Sequence, residues 1–325
     1  MRIFYNHEAV CPADHINYFL SLPAGAHRGH ITSLFKSGHL PHPSSFRFVA
    51  RRFNAGNVDM VQGRRCISNP QPSLISRFAA AEFDTFYGLL YPGRSAVGST
   101  QGIFTDSYGH WSTTLLQTLK MQDNNDNDAA MRALLSSARV VYDLNVVSYE
   151  ASPESLFGYV NQRSYWASEW TQMVGKYTGT SLLRGPSLIR RLELFSTLSL
   201  GALYHHFLIH LVAFIVSSLA VTDPSNWPYL YDRRKGFPIS VWLLAFNIIS
   251  IVVMTAILYR NRAASTPGFA IIVFGLLSPL WLVGVSMTAV ASQFRAIIEP
   301  RPSPIRTSTV DAGKPGLREP SSPYM

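Results

Sequence analysis

The sequence predicts an α/β domain followed by an α-helical transmembrane region. Short β-rich pieces alternate with helical patterns between residues 58 and 150, and apolar residues, which make up 47% of the 325, concentrate after residue 190. Three of the later runs are long enough to cross a bilayer. We therefore expect an α/β domain over residues 1–187, a transmembrane region over 188–298 and a disordered, proline-rich tail over 299–325.

The α/β prediction rests on two kinds of periodicity. Strand character is found in VDMVQGRRCI and ARVVYDLNVVSYE, whereas SLISRFAAAEFDTFYGLLY and DAAMRALLSS carry the apolar spacing of helices. Because strands and helices alternate along the chain, we expect a mostly parallel sheet.

The three candidate membrane spans cover residues 198–221, 239–259 and 268–291. The last two contain no Asp, Glu, Lys, Arg or His. The first contains His205, His206 and His210, of which the last two lie one helical turn apart, so a metal or proton site is conceivable there. Packing histidines are the favoured interpretation, because no third ligand accompanies them.

The charge distribution favours lipid over nucleic acid as a partner. The formal net charge is +9, and most of the excess follows residue 188, which fits anionic lipid headgroups better than a nucleic acid. No secretory signal is visible, because MRIFYNHEAV lacks an apolar core. We therefore expect an integral, multi-pass membrane protein with its soluble domain on the cytosolic side.

A polar run before the helix AAMRALLSS admits three interpretations. Its aspartates are Asp123, Asp126 and Asp128. They could cap the helix, they could form a calcium loop, or one could be a catalytic base at a strand-to-helix junction. The calcium loop fails, because Asp128 stands where its turn glycine belongs and Leu134 where its glutamate belongs. The other two interpretations remain open.

An aromatic stripe follows in YVNQRSYWASEWTQM. Tyr159, Trp166, Trp170 and Met173 fall on one face of a helix. Such a helix either lies on a membrane surface or packs on a core.

Seven segments of the chain occur in a recognisable order. They are SGHLPHP, MVQGRRCISNP, AAEFDTFYG, GIFTDSYGHW, NNDNDAAMRAL, YEASP and QRSYWASEW. With the apolar segments behind them, they resemble the motifs of the membrane-integrated family-2 glycosyltransferases of fungal and bacterial type, a group that includes hyaluronan, chitin and cellulose synthases. The resemblance implies a GT-A-like, Rossmann-like domain, here partly truncated because only about 35 residues precede Lys36. It also implies inverting transfer of a hexose from a nucleotide sugar to a glycan or lipid acceptor, with Mg or Mn as cofactor.

The resemblance assigns the chemistry to two motifs. The catalytic base falls on Asp126, with Asp128 beside it, and the site for acceptor and diphosphate falls on Gln162, Arg163 and Trp166. A carboxylate can remove the acceptor proton, and the indole of Trp166 offers a face on which a sugar can stack.

Two further motifs supply supporting residues. Gln62 and Gly63 match the family's QG pair, and Glu82 and Asp84 match its EFD motif. We expect the EFD carboxylates to hold the site residues in position without contacting the substrate. Simpler interpretations are that Glu82 and Asp84 solvate a helix face and that Gly63 is a turn glycine.

Three departures from the family pattern weaken the expectation of an active enzyme. Lys36 and Gly38 stand where the metal-binding DxD carboxylates belong, which leaves His39 as a weak metal ligand and makes a Mg or Mn site doubtful. Asn125 replaces the glutamate of TED, and Tyr165 replaces the arginine of QxxRW. An active transferase and an inactive pseudo-glycosyltransferase that binds or regulates a synthase are therefore both predicted. A transporter is less favoured, because the spans carry almost no ionisable residues.

Overall fold

The computed structural model describes residues 12–22, 29–36, 38–97, 108–122, 126–184, 187–202, 204–206, 208–209, 211–212 and 239–298. Within these ranges a mixed sheet and its helices are followed by two long apolar helices. The predicted tail, His210, the loop at 123–125 and the end of the first predicted span lie outside the described residues.

The sheet has five strands, and both predicted strands belong to it. The strands are β1 (Ile31–Phe35), β2 (Leu40–Pro41), β3 (Met60–Ile67), β4 (Tyr108–Ser112) and β5 (Val140–Glu150). Their order is β1-β4-β3-β5-β2. The expectation of a mostly parallel sheet is wrong: β3 and β5 are parallel, whereas the other three pairings are antiparallel. The helical connection from β3 to β4 therefore returns to the end of the sheet where it began instead of crossing over.

The predicted helices are also present. The helices are α1 (Pro12–Ser21), α2 (Ser45–Asn54), α3 (Leu74–Thr85), α4 (Tyr91–Val97), α5 (Thr113–Leu119), α6 (Asp126–Leu135), α7 (Leu156–Arg184), α8 (Leu188–Leu198), α9 (Ile239–Asn261) and α10 (Gly268–Ile298). A π-helical segment, Phe86–Leu90, joins α3 to α4. Ser73 caps the N-terminus of α3, because its hydroxyl accepts from the Ser76 amide while the Ser73 amide donates back to the Ser76 hydroxyl.

A bulge in β5 explains the glycine in the middle of β3. Gly63 pairs with Asp143 and the next residue, Arg64, pairs with Val147, so three residues of β5 are left without a partner on β3. A Cβ on Gly63 would lie 2.0 Å from the carbonyl oxygen of Val146. The interpretation of Gly63 as a turn glycine is therefore wrong, because the residue permits close approach of two strands.

α3 joins the sheet region to the apolar helices. Its small residues allow close packing: Ala79 clusters with Tyr159 of α7 and Val285 of α10, and Ala81 clusters with Leu258 and Ile271. This packing holds α3 between the sheet and the two apolar helices.

The aromatic stripe of α7 packs on the core. Tyr159 and Met173 are buried, Trp166 packs against a cluster that contains Phe83, and Trp170 packs against the largest core cluster. Of the two placements open to this stripe, the described residues therefore show core packing.

Among the described helices, α10 is long and apolar enough to cross a membrane, and Ile248–Asn261 of α9 is a shorter apolar stretch. Large apolar side chains on α10 face outward, including Leu276 at 74% exposure and Leu280 at 71%. Such a surface is unusual for a helix that contacts water on that side.

Candidate functional site

A cavity of about 560 Å³ lies where α7, the π-helical segment, α4 and α10 meet. Its walls are largely aromatic, with the side chains of Phe83, Phe86, Tyr87, Tyr91, Trp166 and Trp170. This volume is in the usual range for ligand sites, about 300–1,000 Å³. The cavity is therefore the candidate site, and the predicted residues can be placed relative to it.

Glu82 and Arg163 form a buried ion pair at the wall of the cavity. The Glu82 carboxylate accepts from the Arg163 guanidinium and, at 2.9 Å, from the Tyr159 hydroxyl. Arg163 also donates to the Gln162 side chain at 2.8 Å, and its guanidinium lies 4.3 Å from the ring centre of Trp166. The structure thus brings together the EFD motif and the QR pair, which are far apart in sequence.

The charges of this pair depend on each other. Burial opposes the positive charge of Arg163, but the carboxylate of Glu82 outweighs it and raises the Arg163 pKa. Burial, together with the same carboxylate, also raises the pKa of Tyr159, which therefore remains a hydrogen-bond donor. Removal of either charged partner would leave the other buried without compensation.

Asp84 serves a different part of the molecule. Its carboxylate accepts from Arg64 at 2.6 Å and from the Ala263 amide at 3.1 Å, and Arg64 also donates to the Asn261 carbonyl at 2.7 Å. Because both carboxylates of the EFD motif are buried, the interpretation that Glu82 and Asp84 solvate a helix face is wrong. Asp84 instead holds the turn between α9 and α10.

A second buried ion pair, Arg65 with Glu150, adjoins the cavity. Arg65, which lines the cavity, donates to Glu150 at 2.5 Å and to the Tyr87 hydroxyl at 2.7 Å. His39 donates from Nε2 to the same Glu150 oxygen at 2.8 Å, and its Nδ1 lies 3.4 Å from the Ser148 hydroxyl. Burial opposes ionisation of Glu150, but the charge of Arg65 and the hydrogen bonds outweigh it and lower the Glu150 pKa.

The described residues do not fit a divalent metal. Both ring nitrogens of His39, the proposed metal ligand, contact protein atoms, and Lys36 and Gly38 offer no carboxylate. In the part of the chain that the structure describes, no three His, Cys, Asp or Glu side chains are grouped as a metal site requires.

Asp126 and Asp128 lie at the start of α6, and they differ in what the structure shows. The helix begins at Asp126, whose side chain is outside the described part, and the next residue, Asn127, lines the cavity. Asp128 accepts from Arg132 at 2.7 Å and from Lys176 and Tyr177 at 2.5 Å each. Burial raises the pKa of Asp128, but these donors outweigh it and lower that pKa.

The placement of Asp128 favours a structural role. Its oxygens join α6 to the second half of α7, and they are occupied by donors that a general base would have to release. Its catalytic role, like that of Asp126, stays a prediction.

Gln62 is fully buried, and neither polar atom of its side chain has a hydrogen-bond partner among the described residues. Of the predicted site residues, Glu82, Arg163 and Trp166 line the cavity, and Gln162 is bonded to its wall. The lining does not include Gln62 or the residues at 39, 63, 84 and 128.

Sequence analysis missed Arg65 and Glu169, both in the lining. Arg65 carried a signal, because two consecutive arginines in an otherwise apolar strand require buried partners. Glu169 accepts from the Tyr165 hydroxyl at 2.5 Å. The two residues are four positions apart on a predicted helix, which was the available signal for this contact.

Comparison with known proteins supports the fold. No family model matches the chain, and no curated protein matches its sequence. Among solved structures, the chain is similar to the mannosyltransferase PcManGT from Pyrobaculum calidifontis in complex with GDP-Man and Mn²⁺. The TM-score is 0.54 at 16% identity, over 91% of this chain and 69% of that one. The chain therefore has a glycosyltransferase-like fold.

Proposed function

We propose that the chain is a membrane-bound glycosyltransferase of the inverting, family-2 type, which transfers a hexose from a nucleotide sugar to an acceptor held in the cavity. One observation carries the proposal: Glu82, Asn127, Arg163 and Trp166, from three separated motifs, line a single cavity on a glycosyltransferase-like fold. Convergence of distant motif residues on one cavity is typical of a substrate site.

The proposed reaction uses the cavity to hold the acceptor. Asp126, next to the cavity residue Asn127, takes the proton of the acceptor hydroxyl. The acceptor oxygen then bonds to the anomeric carbon of the donor while the bond from that carbon to the diphosphate oxygen breaks. Attack from the side opposite the leaving group inverts the anomeric configuration, and the diphosphate departs with the electron pair. Trp166 provides a stacking face, and Glu82 holds Arg163 against it.

The membrane location is part of the proposal. α10 has the length and composition of a span, and its outward face is apolar. With the soluble part on the cytosolic side, the cavity between α7 and α10 would lie at the level of the lipid surface, accessible to cytosolic sugar nucleotides.

The test is release of nucleoside diphosphate by membranes that contain the protein. A panel of sugar nucleotides, with GDP-mannose among them, is supplied with and without Mg or Mn. We expect release from at least one donor and its loss in Asp126→Asn. Asp123→Asn, which changes a nearby aspartate outside the motif match, is the control and should retain activity. No release from any donor by the wild-type protein would contradict the proposal.

A second candidate is a pseudo-glycosyltransferase that binds a synthase or its glycan. Three observations favour it: Tyr165 pairs with Glu169 where the family has an arginine, three donors occupy Asp128, and the described residues lack a metal donor set. It predicts co-purification with an active synthase and no turnover by the isolated chain. Saturable donor turnover by purified protein would exclude it.

A further inference from the structure

The cavity has walls from both parts of the molecule. One wall is aromatic and comes from α7 and the π-helical segment, and the other comes from α10, through the apolar Leu282, Val285 and Ala289 and the polar Gln293 at its end. These α10 residues follow a spacing of three and four, so they form one helical face. The cavity therefore extends from the α/β domain along the apolar helix.

The charged groups of the lining are engaged with the protein. Arg163 is held by Glu82 and lies over the Trp166 ring, and Arg65 is held by Glu150. Arg94 donates to the Thr197 hydroxyl at 3.0 Å, and Glu169 accepts from Tyr165. A sugar requires polar partners for its several hydroxyls. The buried amide oxygen of Gln293 in the lining has no hydrogen-bond partner among the described residues, but most of the other polar groups there would have to leave existing bonds. A hydrocarbon chain requires none, and its burial is favourable by about 0.8 kcal/mol per methylene group.

We propose that the cavity binds the hydrocarbon chain of an amphiphilic acceptor, so that the acceptor is a lipid and not a free sugar or a growing glycan. The inference rests on the proposed function, whose site it shares. The hydrocarbon chain of the acceptor lies between Trp166, Trp170 and the α10 face. Its polar headgroup lies toward Asn127, beside the proposed base. The headgroup hydroxyl or phosphate then supplies the oxygen that bonds to the anomeric carbon.

Two tryptophans in the lining provide a direct measurement of binding. Bromine atoms quench tryptophan fluorescence on contact, so 9,10-dibromostearate is the probe and unbrominated stearate its competitor, both titrated in detergent micelles with the full-length protein. We expect saturable quenching that stearate reverses and that the Trp166→Phe, Trp170→Phe double variant largely loses. Quenching that rises without saturation, as for probe dissolved in the micelle, would overturn the inference.

A matched pair of variants tests the location. Ala289→Phe fills the cavity from α10, and Ala256→Phe places the same ring on the exposed face of α9. We expect Ala289→Phe to weaken apparent probe affinity by about tenfold or more, which corresponds to about 1.4 kcal/mol. The Ala256→Phe protein should bind as the wild type does. Equal affinity of the two variants would overturn the inference.

Donor turnover on the same preparations separates this inference from the proposed function. Release of nucleoside diphosphate without saturable quenching, stimulated by soluble sugars, would leave the transferase proposal standing and remove the lipid acceptor. Saturable quenching without turnover of any donor would leave the lipid-binding cavity standing and remove the transferase.

Discussion

Glu82 and Asp84 lie two residues apart on α3, yet their carboxylates serve different partners. Residues at this spacing point to different sides of a helix. Glu82 therefore faces Arg163 at the cavity, and Asp84 faces Arg64 and the turn after α9. The short segment from Glu82 to Asp84 thus connects the candidate site to the apolar helices.

The Glu82–Arg163 pair predicts strong coupling in a double-mutant cycle. Glu82→Gln should destabilise the protein by about 3–5 kcal/mol, because it leaves the Arg163 charge buried. Addition of Arg163→Met should restore part of this loss, since both charges are then absent. The measurement is thermal or denaturant unfolding in detergent.

The Arg52–Asp143 pair serves as the control for this cycle. The Arg52 side chain is 47% exposed. Asp143 is buried but keeps its hydrogen bonds from Asn145, so Arg52→Met should cost less than Glu82→Gln. Additive effects of Glu82→Gln and Arg163→Met would show that the two side chains do not act as a pair.

His110 predicts a specific dependence of stability on pH. The residue is fully buried, its Nδ1 lies 2.7 Å from the Ser33 hydroxyl, and the rings of Phe35, Phe46 and Tyr108 surround it. Burial lowers the pKa of His110 to about 4. Between about pH 6.5 and pH 4 the unfolded chain therefore binds a proton that the folded chain excludes, and stability falls as the pH is lowered.

His110→Phe should flatten the fall of the melting temperature between pH 6.5 and pH 4, a window in which this group alone accounts for up to about 3 kcal/mol. His30→Gln, at an exposed position, is the control. The carboxylates of Asp128, Asp143 and Glu150 act at lower pH, because their pKa values are lowered and their stabilisation is lost only as the pH falls through those values. An unchanged slope in His110→Phe would assign the pH dependence to other groups.

At the scale of elements, the β5 bulge sets the shape of the central sheet. Gly63→Ala should destabilise the protein by about 3 kcal/mol or more, because the new Cβ would meet the Val146 carbonyl, a backbone atom that cannot rotate away. Gly175→Ala, in α7 with open space around it, should instead stabilise by about 0.5–1 kcal/mol. Unfolding of both variants is compared with wild type, and equal melting temperatures would show that β5 can move to accept the methyl group.

The elements that sequence predicted are those with strong local patterns. β3, β5, α3, α6 and α7 follow from periodicity within each segment. β4 was missed because YGHWS is short and carries Gly and His, and β1 was missed because its partner, β4, lies about 80 residues away. The antiparallel pairings were missed for the same reason, since no local pattern encodes where a helical connection returns.

The candidate site was predictable to a similar degree. Resemblance of motifs identified Glu82, Arg163 and Trp166, which the cavity brings together. It did not reveal that Glu82 binds Arg163 or that Asp128 binds Lys176, because these contacts depend on how α7 crosses α3 and α6.

At the scale of the whole molecule, the sheet and the apolar helices are joined by packing and by polar contacts. The packing is that of the small residues of α3 against α9 and α10. The polar contacts are those of Asp84 with the Ala263 amide and of Arg64 with the Asn261 carbonyl. Because the cavity has walls from α7 and α10, its shape depends on this junction.

Asp84→Asn should loosen the junction. The variant loses the charge that holds Arg64, and its side chain has one acceptor oxygen in place of two for the Ala263 amide. We expect faster hydrogen exchange at Ala263 and its neighbours in the turn, a lower melting temperature and weaker retention of ligands in the cavity. Asp59→Asn is the control, since Asp59 accepts from the Arg139 amide at the far side of the sheet. If both variants leave exchange in the α9–α10 turn unchanged, the apolar helices are held by packing alone, and the Asp84 carboxylate does not couple them to the site.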